Sequence, residues 1–351
     1  MRHVGGTRTR ARKAAYVTDA YAKAGVNIEA GNAAVSRYRE VLPKTRDPRV
    51  LEGIGGFGGC FALRGLRDPV LVASTDGVGT KLLVATELAR YDTIGRDLVN
   101  HCVNDILCLN ATPLFFLDYL AVGKLDPAIA AQIVGGVGAA CADHDMALLG
   151  GETAEMPGLY QPSHFDLAGT IVGGVERDQL IDVTRVAVGD AVIGLPSNGF
   201  QTNGYSLVRA TLPRSRWDEP LGSGTIGDAL LAIHPSYIEA IRAAQAAGVS
   251  IHAMAHITGG GLIDNLPRAL PAGVAARLYP ARWSVPPIME LVVREAALDR
   301  DTAFHTFNMG IGFCAIVSGV QTDAALAAMP GALVIGDIEP LGPCAPSVIF
   351  S

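Results

Sequence analysis

Residues 70–81 read VLVASTDGVGTK. The run from Val70 to Ser74 has the unbroken apolar character of a buried strand. Asp76 falls where that strand ends, and Gly77 and Gly79 let the chain turn sharply and approach a ligand. In open α/β sheets ligands collect outside the carboxyl ends of the strands. A carboxylate there can hold Mg²⁺, which takes one or two carboxylates together with phosphate oxygens and water. Thr80 follows, and Lys81 could then face a phosphate as a compact positive charge. The same residues also read as a β-turn in which Asp76 caps its own backbone. The stretch alone does not choose between the two.

Upstream, residues 53–59 read GIGGFGG and contain a literal GxGxxG. A dinucleotide fingerprint needs a strand before it and a helix after it. Here PKTRDPRVLE precedes it and strand-like CFALRGLRDPVLVAS follows, so the Rossmann reading fails on context. Two readings stay open: a glycine loop closing over a phosphate through Gly55, Gly56 and Gly58, or a plain tight turn. No GxxxxGK[ST] occurs anywhere in the chain, which excludes a Walker loop.

Downstream, residues 92–109 read as a helix. Ile94, Leu98, Cys102 and Ile106 form an apolar stripe. Asp97, Asn100, His101, Asn104 and Asp105 line up on the other face at spacings of three and four. Solvated faces usually carry Lys, Glu and Arg, and residues 98–117 contain none of these. The polar face therefore reads as lining a site. In residues 148–158, LLGGETAEMPG, Gly151 and Glu152 follow an apolar strand and repeat the logic of Asp76; Glu155 reads as a further ligand or, in preference, as a helix-start acid. Three separate carboxylates, Asp76, Asp105 and Glu152, come without a paired base. That fits Mg²⁺ on a polyphosphate better than general acid–base hydrolysis.

In the second half, SNGFQTNGY (197–205) and TGGGL (258–262) put small polar residues and glycines just before helices. Helix N-termini bind phosphate readily, although simple capping by Ser197 or Thr258 is the commoner use of such residues. His252 and His256 flank the second segment and could touch a substrate; His234 and His305 read as structural.

Composition sets the frame. The 351 residues are 49% hydrophobic and 18% charged, enough for two domains with real cores. A net charge of −6 argues against a general nucleic-acid binder, and no apolar run approaches the roughly 20 residues of a membrane helix. The six cysteines form no CxxC pair, so they read as reduced thiols of a cytoplasmic protein and give little support to a structural zinc site. The alternation of short strands and helices predicts an α/β (α+β) fold with mixed sheets. The expected division is a disordered basic tail at 1–15, an N-terminal domain at 16–178 and a C-terminal domain at 179–351. Expected strands cover 70–74, 114–120, 147–149, 167–175, 191–195, 275–278, 312–317 and 333–335. Expected helices cover 92–109, 127–144, 206–211, 235–247, 262–269 and 286–297.

Together with AGVNIEAGN (24–32), PLFFLDYLAVGKLD (113–126), NGYSLVR (203–209), HITGGG (256–261) and TFNMGIG (306–312), these segments resemble one family. It is the phosphoribosylformylglycinamidine cyclo-ligases, also called aminoimidazole ribonucleotide synthetases. GGETAEMPG with PLFFLDY is the specific part; STDGVGTK recurs across a wider superfamily that includes selenophosphate synthetases and thiamine-phosphate kinases. No cysteine precedes Cys60, unlike the pattern expected of the former. The resemblance implies an ATP- and Mg²⁺-dependent ring closure of formylglycinamidine ribonucleotide, and leaves room for a monovalent cation. It also implies a homodimer whose N-terminal sheets pair into a barrel. By carry-over, Asp76, Lys81, Asp105 and Glu152 serve catalysis, with Asp76, Asp105 and Glu152 as metal ligands. Gly55, Gly56, Gly58, Asp76, Gly77, Thr80, Asp97, Asn104 and Gly151 bind ATP. Gln201, Asn203, Gly204, His256, Thr258, Gly259, Gly260, Gly261 and Asn308 face the substrate. Where the family has His, this chain has Gln201, which can donate a hydrogen bond but cannot act as an acid; Asn100 is a second departure.

Overall fold

The computed structural model describes residues 26–42, 47–52 and 58–351. The expected tail at 1–15 and the expected ATP contacts Gly55 and Gly56 lie outside the described residues.

The first half is a four-stranded sheet under helices. Its strands are β1 (Pro69–Gly77), β2 (Thr112–Val122), β3 (Ala147–Glu155) and β4 (Phe165–Glu176), in the order β1-β4-β2-β3. Only the β2–β3 pair is parallel. Helix α1 (Ile28–Val41) packs on α4 (Pro127–Asp143), α2 (Lys81–Leu88) follows β1, and α3 (Ile94–Leu107) lies across β1 and β4. Asp126 starts α4 by accepting from the N–H groups of Ala128 and Ile129, with Pro127 at the first helical position. α3 and α4 cross at Gly95 and Gly136, where a Cβ on Gly95 would overlap the backbone of Ile133 and Val137.

The second half is a six-stranded sheet of β5 (Ala191–Pro196), β6 (Ile251–His256), β7 (Val274–Leu278), β8 (Ile311–Val317), β9 (Leu333–Pro340) and β10 (Val348–Phe350). Its order is β6-β8-β5-β9-β7-β10, with only β7–β10 parallel. The mixed α/β architecture is as expected. β6 and α2 were not foreseen. The run 262–269 splits into a short α5 (Gly261–Asn265) and a 3₁₀ turn (Leu266–Ala269), because Pro267 cannot continue the helix. β3 runs on through Gly150, Gly151 and Glu152, which the sequence reading had put beyond the strand.

The two faces of α3 decide what the rest of the molecule does. Ile94, Leu98, Cys102 and Ile106 are buried in the first-half core. Asp97, His101 and Asn104 on the other face are also buried, under the second half. The helix is therefore closed on these two faces, with Arg96, Asn100 and Asp105 left partly exposed.

Candidate active site

Asp76 sits one residue before the end of β1, Asp105 in the last turn of α3, His101 one turn earlier, and His256 at the end of β6. They meet between the halves. His101 Nε2 lies 2.7 Å from Asp76 Oδ2 and 3.8 Å from Asp105 Oδ2. His101 Nδ1 is 2.8 Å from the Thr202 hydroxyl. His256 Nδ1 donates to Asp105 Oδ1 at 2.8 Å, and Ser74 donates to Asp105 Oδ2 at 2.9 Å. A cleft of about 440 Å³ opens over these groups, lined also by Thr258 and Arg268.

The electrostatics follow from this contact set. Burial raises the Asp76 carboxyl, but the hydrogen bond and charge of His101 and the Gly77 N–H outweigh it and hold the group below its ordinary value. Asp105 is likewise pushed up by burial and pulled lower by His256, His101 and Ser74. Burial disfavours the His101 cation, yet Asp76 and Asp105 raise it above an ordinary histidine. His256 is pulled down to about 4, chiefly by burial, and the fully buried His234 is depressed well below normal for the same reason. The site thus holds two carboxylates in the charged form at the mouth of a cleft, around a histidine that favours its proton.

A pH dependence of stability follows. Below about 6.5 the unfolded chain protonates His234 and His256, while folded His256 refuses the proton until about 4. The unfolding free energy therefore falls as pH drops from 6.5 toward 4. His101 acts oppositely: its stabilisation is complete below 6.5 and is lost as pH rises through its elevated folded value. Urea unfolding across this range should show the acid-side slope, and His256→Gln should shallow it. An unchanged slope in that variant would refute the assignment.

Several predicted site residues lie elsewhere. Lys81 does not reach the cleft: it is fully buried, 2.7 Å from Asp97 Oδ2, and donates to the Ala232 carbonyl at 2.7 Å. Asp97 takes the His234 N–H, and Asn104 takes the Tyr237 N–H while donating to the Pro235 carbonyl. All three bind the second half of the chain rather than facing the cleft. Gln201, expected to face the substrate, is buried and donates to Tyr237 Oη at 2.9 Å. Asn308 is spent on Ser197, Gly199 and Gly310.

Glu152 is the largest correction. Cross-strand register runs from Asp76 to Gly169, Asp118 and Gly151, so the Glu152 edge lies three strand spacings from β1, roughly 14 Å. Glu152 shares a second cavity with Tyr38 and Asp118 and cannot join Asp76 and Asp105 on one metal within a single chain. Gly151 packs over Asp118, whose carboxyl burial raises to about 7. Glu155 starts no helix; it closes β3 and accepts from the Leu125 N–H at 2.8 Å.

The remaining predicted contacts have mixed positions. Gly77 gives its N–H to Asp76 Oδ1, Gly58 is exposed, and Thr80 meets Ser206 at 3.2 Å. Asn203 approaches Gly259, and Gly204 takes the left-handed conformation (φ 76°) ahead of the helix Tyr205–Thr211. The Thr258–Gly261 loop is tied by Asn265 Nδ2, which donates to Gly259 and Gly261. Gly260 and Gly261 both need positive φ (91° and 59°), so this loop tolerates no side chain there. α5 has only five residues, so its N-terminus is a weak anion site; exposed Arg268 supplies the positive charge at that end of the cleft. The sequence reading gave Ser74 and Arg268 no site role, and placed His101 on the site-lining helix face without a role of its own. His101 had a visible signal, lying one helical turn before Asp105 on the same polar face.

Comparison with known proteins agrees with this architecture. A family model for the N-terminal domain of AIR synthase related proteins matches residues 60–175, and one for the C-terminal domain matches residues 187–342. The chain is 50% identical over 309 residues to the phosphoribosylformylglycinamidine cyclo-ligase of Gloeobacter violaceus, covering 87% of this chain and 91% of that one. It is 47% identical over 309 residues to the enzyme of the same name from Thermosynechococcus vestitus, with the same coverage, 87% and 91%. The chain belongs to the phosphoribosylformylglycinamidine cyclo-ligase family. The resemblance drawn from PLFFLDY and GGETAEMPG is thereby confirmed, and cyclo-ligase membership makes this chain an enzyme. The cyclo-ligase fold is shared more widely. A hydrogenase maturation protein HypE solved in complex with ATP matches with a TM-score of 0.63 at 18% identity, covering 89% of this chain and 88% of that one. Thiamine-monophosphate kinase from Stenotrophomonas maltophilia matches with a TM-score of 0.59 at 21% identity, covering 91% and 96%. Among the described residues, no helix is long and apolar enough to cross a membrane.

Proposed function

We propose that this chain closes the imidazole ring of aminoimidazole ribonucleotide, in purine biosynthesis, from formylglycinamidine ribonucleotide and ATP. The observation that carries the proposal is the Asp76–His101–Asp105 cluster at the mouth of the interdomain cleft. In the reaction, the formamide oxygen attacks the γ-phosphorus of ATP and ADP leaves. The amidine-side nitrogen then bonds to the activated carbon, the C–O bond breaks, phosphate departs and the new ring loses a proton.

Asp76 and Asp105 suit Mg²⁺: they are oxygen donors, ionised, partly open to the cleft, and each keeps lone pairs beyond its internal hydrogen bonds. When bound there, Mg²⁺ would neutralise polyphosphate charge. His101 fixes the orientation of Asp76, and His256 and Ser74 that of Asp105. Arg268 and Thr258 are placed to hold an anionic group of the substrate, and the glycine loop behind Thr258 is rigid because Asn265 ties it. The test is phosphate release from ATP with and without formylglycinamidine ribonucleotide. Release that does not depend on that substrate, or no release, would overturn the proposal.

The cyclo-ligase reading includes a homodimer in the cytoplasm, an environment consistent with six free cysteines, and a domain division near residue 178. The sheet face opposite α3 supports the pairing. Leu71 (58% exposed), Leu117 (37%) and Tyr119 (39%) stand uncovered on it, a type of patch that marks interaction surfaces. Glu152, at the far edge of the same sheet, could then serve only a site completed by a second chain. Leu117→Asp places a charge in this face and should convert the dimer to monomer in light scattering at micromolar protein. An unshifted mass would show that the face is not the interface.

A further inference from the structure

Behind the two carboxylates the cleft floor continues as three packed imidazoles. His101 comes from α3, His256 from the end of β6, and His234 from the segment before the helix Ile238–Ala246. Ring centroids are 4.8 Å apart for His101–His256, 5.1 Å for His234–His256 and 5.3 Å for His101–His234. One nitrogen of each ring lies within 4.8 Å of the others, and all three side chains are buried. His101 and His256 line the cleft, so the cluster is reached from solvent through it.

The hydrogen bonds orient this cluster in a particular way. A neutral imidazole has one N–H and one bare nitrogen. His256 Nδ1 faces the Asp105 carboxylate at 2.8 Å and must carry the N–H, so its bare nitrogen is Nε2. That Nε2 points at His234 Nε2, 3.1 Å away, an atom that also lies 3.2 Å from Asn104 Nδ2, a donor that a metal would displace. Two nitrogens bound to one tetrahedral ion at about 2.05 Å would sit roughly 3.3 Å apart, a few tenths from the observed spacing. A carboxylate on the far nitrogen is also how ligating histidines are usually held and made more basic. We propose that His234 and His256, with His101 as the third side chain, form a binding site for a divalent transition metal of the imidazole-preferring class, such as Zn²⁺ or Co²⁺.

The donor set separates this site from the Mg²⁺ reading, since Mg²⁺ takes oxygen ligands and nitrogen donors suit zinc and its neighbours. His256 presents a bare Nε2 as it stands, whereas His101 must release the proton it shares with Asp76 and its Thr202 contact before it can ligate. The metal would tie β6 and the second half to α3. The inference is independent of the cyclo-ligase reaction and survives its failure.

The experiment uses full-length protein stripped by chelator and titrated with Co²⁺. About one equivalent should bind with visible ligand-field absorption, Zn²⁺ should displace it, and excess Mg²⁺ should not. His234→Asn and His256→Gln should each weaken binding by ~10-fold or more. Zn²⁺, but not Mg²⁺, should raise the thermal midpoint of the unsubstituted protein, which gives a readout even where a variant fails to fold. Absence of Co²⁺ binding, binding undiminished in both variants, or no thermal shift with Zn²⁺ would each overturn the proposal.

Discussion

Asp97→Asn should destabilise the protein by about 3–5 kcal/mol, because it strands the Lys81 ammonium in the interior. The two groups are 2.7 Å apart and neither side chain has any solvent exposure. Burial pushes Lys81 down and Asp97 up, and their mutual attraction opposes both shifts. Removing one charge leaves the full desolvation cost of the other. Removing both, as Lys81→Met with Asp97→Leu, should recover most of the loss. Recovery is incomplete because the Ala232 carbonyl and the His234 N–H lose their partners. Urea midpoints followed by circular dichroism measure both variants. A single-substitution cost under about 1 kcal/mol would show that water reaches the pair.

The second large effect is on turnover. Asp76→Asn should lower substrate-dependent phosphate release by at least ~10-fold and by as much as ~10²-fold, the range for losing a charged transition-state contact. The side chain is 44% exposed, so the fold should survive. His101 loses its main anionic partner at the same time, and its elevated proton affinity should fall with it. A magnesium titration separates the roles. If Asp76 is a ligand, the variant should need more Mg²⁺ for half-maximal rate; turnover unchanged at every concentration would remove it from the metal set.

How far the sequence carried the reading depended on the range of the contact. Elements with a clear local period were legible: residues 94–107 showed their stripe, and 112–122 their strand. The strand Ile251–His256 was missed because IHAMAH alternates His and Ala and carries little β-branched bulk. The helix Lys81–Leu88 was missed because it is apolar around most of its circumference and shows no face.

In the site, the polar face of α3 was recognised as lining something. What it lines is backbone more than 130 residues away, at His234, Pro235 and Tyr237, and no spacing rule reports that. Lys81 looked like a phosphate ligand because it follows a glycine turn; only the fold shows it pointing inward. Glu152 looked like a twin of Asp76 because both follow or flank glycines. The strand order β1-β4-β2-β3 separates them, and order is a property of the whole sheet.

The double burial of α3 has a consequence for inheritance. Its inner face answers to residues in the first half of the chain, and its outer face to His234, Pro235 and Tyr237 in the second. Because these partners are main-chain groups, a change at Asp97 or Asn104 cannot be offset by a new side chain across the seam. Halves exchanged between relatives that keep Asp97 and Asn104 would still match across this seam, so it constrains two positions of one half and leaves the other half's side chains free to drift.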